Sequence, residues 1–114
     1  MEECIFCRIA GGDVPADILH SDDDVVAFRD IDPQAPVHFL VVPRRHAASA
    51  FDLKDGDGDL LLRMFEVVRE VSRSEGVGGS GVRICTNVGP DAGQVVMHFH
   101  LHVMGGRLME WPPG

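Results

Sequence analysis

The sequence has 114 residues, 45% of them hydrophobic and 25% charged, which is the balance of one globular domain spanning 1–114 and not of a disordered chain. Eighteen acidic residues against ten basic ones leave a formal net charge of −8, so a general binder of DNA, RNA or an anionic membrane surface is excluded for want of a cationic face. No apolar run approaches the roughly 20 residues that cross a bilayer, and the acidic start Met1-Glu2-Glu3 is unlike the basic start of an export signal. A cytoplasmic location is therefore expected, with the odd number of cysteines, three, pointing to metal or redox use before structural disulfides.

Residues 1–36 read as short elements broken by turn signals: Gly11-Gly12-Asp13, Pro15, Asp22-Asp23-Asp24, Pro33 and Pro36. Between them Val25–Arg29 is predicted as a strand. Val37–Val42, bounded by Pro36 and Pro43, is the strongest strand signal in the chain. Leu60 to about Ser74 is the one helix with clear periodicity, its apolar stripe running through Leu61, Met64, Phe65, Val68 and Val71. Asp57 or Asp59 can cap its start, and Gly76 follows its end. Val82–Asn87 and His98–Met104 read as two further strands, separated by the Gly/Pro loop 88–94. The tail Glu110-Trp111-Pro112-Pro113-Gly114 cannot be regular structure. One strand-rich α+β domain accounts for this order.

Two motifs fail on context. Gly76-Val77-Gly78-Gly79-Ser80-Gly81 matches G-x-G-x-x-G, but it follows a helix and precedes a strand, the reverse of the dinucleotide fingerprint. Asp55, Asp57 and Asp59 resemble a calcium loop, yet Leu60 stands where that loop needs glycine.

The chemistry is concentrated in His98-Phe99-His100-Leu101-His102-Val103-Met104. Strand side chains alternate, so the three imidazoles share one face while Phe99, Leu101 and Val103 face the core. Neutral imidazole is a nucleophile, a general base and a metal ligand near neutral pH. The adjoining loop Gly89-Pro90-Asp91-Ala92-Gly93-Gln94 can turn backbone N–H groups toward a phosphate. Together they suggest nucleophilic attack on phosphorus through a phosphohistidine-type intermediate. The alternative use of the row is a three-histidine metal site. Cys4-x-x-Cys7 supplies half of a tetrahedral zinc site, with His46 a possible third ligand and one triad histidine the fourth. A redox pair is the competing reading. Cys85 reads as a buried hydrophobe and His20 as an exposed residue without a role.

The chain resembles the histidine triad family, specifically its nucleotide-binding branch in the zinc-bearing bacterial form. The residues that carry the resemblance are the 98–104 run, Asp30-Ile31-Asp32-Pro33-Gln34-Ala35-Pro36-Val37-His38-Phe39-Leu40-Val41-Val42-Pro43, Gly93-Gln94, Trp111-Pro112-Pro113-Gly114 and Cys4-Ile5-Phe6-Cys7. The resemblance implies an α+β fold with a five-stranded antiparallel sheet per subunit, two subunits forming a homodimer with a ten-stranded sheet. It implies hydrolysis of purine nucleoside 5′-phosphoramidates, with nucleoside monophosphates such as AMP as ligands. His100 would be the nucleophile, supported by His102 and His38. Asp30 would accept hydrogen bonds from the ribose hydroxyls. Ile5, Phe6, Ile9, Phe28 and Ile31 would wall the base pocket, Asn87, Gly93 and Gln94 would hold the phosphate, and Trp111 would reach toward the partner's site.

Cys4, Cys7, His46 and His98 would hold a structural zinc, and the scheme needs no magnesium. There is one departure: where this branch usually has serine after Gly93-Gln94, the residue is Val95, which keeps a backbone N–H and loses the hydroxyl that assists the leaving group. His102 or a water would have to take over. Cleavage of dinucleoside polyphosphates, a zinc hydrolase using the triad as ligands, and a non-catalytic nucleotide sensor are the rival functions.

Overall fold

The computed structural model describes residues 4–114, so the acidic start at residues 1–3 lies outside the described residues. Two helices, α1 (Ile5–Ala10) and α2 (Gly58–Ser74), accompany five strands: β1 (Ile18–Ser21), β2 (Val25–Arg29), β3 (Val37–Pro43), β4 (Val82–Cys85) and β5 (Leu101–Gly105). The strands form one antiparallel sheet in the order β1-β2-β3-β5-β4. The α+β class and the five-stranded antiparallel sheet with one main helix are as expected. Among the described residues no helix is long and apolar enough to cross a membrane.

The two faces of the sheet carry two different cores. One face sends Val25, Ala27, Phe39, Val41, Phe99, Leu101 and Val103 against Met64, Val67, Val68 and Val71 of α2. Fully burying a side chain of this kind contributes roughly 1.5–3 kcal/mol, so this layer supplies most of the cohesion. The other face gathers Phe6, Val26, Phe28, Leu40 and Val42 beneath α1, with Ile9 and Val96 at the margin. Alternation in β3 decides this division: His38, Leu40 and Val42 point one way, and Phe39 and Val41 the other.

Several local expectations are corrected. The helix stripe turns about Val67, which is fully buried, while Phe65 lies at its edge, 43% exposed. Asp57 occupies the N-cap position of α2, but its carboxylate accepts from the Lys54 N–H (2.8 Å) and pairs with Arg45 (2.7 Å) and makes no side-chain bond to the helix. It closes the preceding turn. Gly76 does follow the helix end, at φ +80°. Elements α1 and β1 went unforeseen because six and four residues are too few to show periodicity. The Asp22–Asp24 turn signal is real, with Asp22 Oδ1 accepting from the N–H groups of Asp24 and Val25, both at 2.8 Å. His20 is not an idle surface group: it is half-buried, with Nε2 2.7 Å from Asp22 Oδ2, which also takes Arg63 Nε at 3.1 Å. Strand β4 ends at Cys85, short of Asn87. Strand β5 begins at Leu101, so His98 and His100 precede its ladder. Cys85 is half-buried, and burial pushes its thiol up.

Candidate active site and metal centre

Register brings the histidines together. Strand β3 pairs with β5 so that Leu40 faces His102 and His38 faces Met104, which makes His38 and His102 diagonal neighbours on the α1 side of the sheet. Their rings touch through His38 Nε2 and His102 Nδ1 at 3.0 Å. His100 lies next along the row, its ring 4.9 Å from that of His102. Phe6 of α1 then stands edge-on to His100 at 5.0 Å and to His98 at 6.1 Å. All three triad imidazoles share the face that alternation predicts. Phe6 divides them into two groups.

The hydrogen bonds fix which nitrogen of each ring carries the proton, because a carbonyl only accepts and a backbone N–H only donates. His100 Nδ1 lies 2.6 Å from the His98 carbonyl, so Nδ1 is the N–H and Nε2 keeps its lone pair. His98 Nε2 lies 2.8 Å from the Pro43 carbonyl, so in that ring Nδ1 is free. His38 Nδ1 accepts the Gln34 N–H at 3.0 Å, which leaves the proton on Nε2, donated to His102 Nδ1. His102 therefore presents Nε2–H. Burial lowers the pKa of His38, His98 and His100. His102 is brought down to about 4 by burial, then by the charges of His100 and His38. The site is built to hold neutral imidazole at neutral pH.

On the far side of Phe6 the freed Nδ1 of His98 meets both cysteines and His46. It is 3.3 Å from Cys4 Sγ, 3.4 Å from Cys7 Sγ and 3.2 Å from His46 Nδ1, and Cys7 Sγ is 3.4 Å from His46 Nδ1. All four ligand atoms lie within 4.8 Å of one another. Two thiolates and two imidazoles at these separations suit a tetrahedral cation with bonds of about 2.0–2.3 Å, and this donor set favours zinc. Burial and the neighbouring Cys4 sulfur push the Cys7 thiol up to about 11. The Pro43 carbonyl supplies the outer partner that holds His98 in its ligating tautomer.

Asp30, His38 and His102 also come within metal-ligand distance of one another. Asp30 Oδ2 is 3.4 Å from His38 Nε2 and 3.9 Å from His102 Nδ1. Here the tautomers argue against a cation. His38 Nε2 carries the proton because Gln34 N–H occupies Nδ1, so that ring has no lone pair to offer. The group is a hydrogen-bonded relay that orients His102.

The HIT domain profile matches residues 12–109, the span holding the whole histidine row. The chain belongs to the HIT domain family. A crystal structure of a HIT family hydrolase from Legionella pneumophila superposes with a TM-score of 0.96 at 44% identity, covering 98% of this chain and all (100%) of that one. A HIT family hydrolase from Clostridium thermocellum gives a TM-score of 0.94 at 35% identity, with 96% of each chain covered. An uncharacterised HIT-like protein of Synechococcus elongatus is 42% identical over 99% of this chain and 98% of its own length.

In this HIT domain the remaining expected site residues fall into two sets. Phe6, Ile9 and Phe28 come together on the histidine face, Phe6 and Phe28 with ring centroids 5.4 Å apart, and Ile5 lies beside them at 38% exposure. Ile31 is fully exposed (100%), and Val95 (88%) and Trp111 (83%) stand out in solvent, so this fold does not pack these three against that wall. Asp30 has one oxygen held by the Asp32 N–H (2.8 Å), which turns the other inward.

Asn87 is half-buried beyond the end of β4, and Gly93 takes φ +83°, a conformation that favours glycine. Gln94 is committed to the loop itself: Oε1 accepts from Gly89 N–H (3.0 Å), while Nε2 donates to the carbonyls of Ala48 (2.7 Å) and Val96 (3.1 Å). Its side chain shapes the 88–94 loop. Sequence reasoning missed the Gln34 N–H and the carbonyls of Pro43 and His98 that assign the tautomers. They are main-chain groups, and no residue type announces them.

Proposed function

We propose that this HIT protein hydrolyses purine nucleoside 5′-phosphoramidates through a nucleotidyl-His100 intermediate. The observation that carries the reading is the 2.6 Å bond from His100 Nδ1–H to the His98 carbonyl, which leaves the neutral ring's lone pair on Nε2. That lone pair attacks the α-phosphorus in line, forming the P–Nε2 bond as the P–N bond to the amine breaks. His102 Nε2–H and loop N–H groups hold the phosphoryl oxygens.

The amine leaves protonated. Neutral His102 keeps its proton for the phosphoryl oxygens and Val95 has no hydroxyl, so water supplies the amine's proton. A second water then cleaves nucleotidyl-His100, its proton neutralising the hydroxide left by the first, giving the nucleoside monophosphate and restoring the neutral ring. Asp30 takes the ribose hydroxyls with its inward oxygen, and Phe6, Ile9 and Phe28 receive the purine. No magnesium takes part.

Cys4, Cys7, His46 and His98 would hold a zinc ion whose contribution is structural, tying α1 to the backbone that carries His100. The working form is a cytoplasmic homodimer of single-domain subunits. It is supported by β4, a sheet-edge strand in the order β1-β2-β3-β5-β4 that a second β4 can extend to ten strands, and by the exposed Trp111, free to reach a partner's site.

The test is turnover of adenosine 5′-phosphoramidate by wild type and His100→Ala, before and after brief chelation. The expected result is turnover in wild type, a loss of at least about a thousandfold in the variant, and AMP binding within a few-fold of wild type. Faster cleavage of a diadenosine polyphosphate would move the reading to that substrate class. No turnover with tight AMP binding would make the protein a sensor. A zinc that survives loss of both cysteines would make the triad its ligand.

A further inference from the structure

His100 sits where the sheet stops supporting the chain. The β3–β5 ladder begins at Val41–Leu101 and the β4–β5 ladder at Cys85–His102, so the His100 peptide precedes both. Side-chain and cross-segment bonds replace the ladder there. Phe99 N–H donates to the Ala47 carbonyl at 2.6 Å, and the His98 ring is tied to the Pro43 carbonyl. The carbonyl of His100 itself accepts the hydroxyl of Thr86 at 2.8 Å. Thr86 is the first residue past the end of β4, and continuing the same register sets Asn87 opposite His100.

We infer that Thr86 is a positioning residue for the nucleophile, its hydroxyl fixing the peptide plane that follows His100 and so the aim of Nε2. The inference rests on the reading of His100 as nucleophile. Rotating the 100–101 peptide swings the imidazole about its own backbone. A misplacement of about 1 Å at a reacting atom can cost on the order of a hundredfold. Thr86 is exposed, so water competes for the carbonyl when the hydroxyl is removed, and the loss is that of one ordinary hydrogen bond. Valine preserves the β-branched shape of Thr86 without the donor.

The experiment compares wild type, Thr86→Val and Thr86→Ser on adenosine 5′-phosphoramidate, with the ring resonances of His100 followed by NMR. Thr86→Val is expected to lower kcat about five- to tenfold with KM within about twofold, and Thr86→Ser to restore most of it. An unchanged kcat in Thr86→Val, or an equal fall in Thr86→Ser, overturns the inference. If wild type has no turnover, the hydrolase reading fails separately. The ring resonances then decide: a shift in Thr86→Val that Thr86→Ser reverses supports the positioning role, and identical spectra overturn it.

Discussion

His98 and His100 are two residues apart on one face of one strand segment, yet their imidazoles are set to opposite uses. In His98 the Pro43 carbonyl takes Nε2–H and leaves Nδ1 for the cysteines. In His100 the carbonyl of His98 takes Nδ1–H and leaves Nε2 for the site. A single accepting oxygen in each case decides which lone pair is free, and Phe6 keeps the two chemistries apart. Identical side chains acquire different roles from the main chain around them. The two halves are also linked, because the carbonyl orienting His100 belongs to the residue whose ring joins the metal group.

That linkage can be broken most severely from the metal side. Cys7→Ser is expected to lose the bound zinc, to lower thermal stability by several degrees or more, and to reduce activity with it, measured by metal content, melting and turnover. Full activity in a metal-free, folded Cys7→Ser would show that the halves are independent.

A smaller effect separates them by pH. Burial lowers the pKa of His100 below its ordinary 6.5, so the acid limb of the rate profile should fall below about 6.5, with rate lost up to tenfold per unit beneath it. Stability follows the same sign. The unfolded chain takes up protons near pH 6.5, while folded His102 holds out to about 4, so stability is present above 6.5 and lost as pH falls through that interval. Denaturant melts across the interval check this; stability that rises on acidification would contradict the buried neutral row.

The smallest expected effect lies at the leaving group. Val95→Ser should raise kcat a few-fold on alkylamine phosphoramidates and leave a substrate with a good leaving group unchanged, without altering metal content. An equal gain on both substrates would place the change in binding.

Much of this arrangement was legible beforehand. The alternation of His98 to Met104, the Cys4-x-x-Cys7 spacing and the proline-bounded strand 37–42 each express a local rule: a period of 2, a ligand pair or a blocked ladder. The short elements α1 and β1 were not legible, because too few residues carry them for any period to show. The division of the histidine row was legible only through the family resemblance, which assigns His98 to the cysteine pair; residue chemistry alone left the fourth ligand open. In the fold His98 is the one that turns to the cysteines, its Nε2 tied to the Pro43 carbonyl at the end of β3. Ile31 belongs to the same motif as Asp30, and its full exposure is set by the fold and not by the motif.

The sequence by itself determined the fold class, the face on which the imidazoles lie and the cysteine pair that offers half of a tetrahedral metal site. These follow from periodicity and from donor chemistry, which are properties of neighbouring residues. Only the tertiary structure decided the tautomers, the place of Phe6 between the two histidine groups and the commitment of Gln94 to its own loop. The first and the last of these depend on a carbonyl or N–H brought from a distant segment, and a main-chain group has the same composition at every position until folding puts it somewhere.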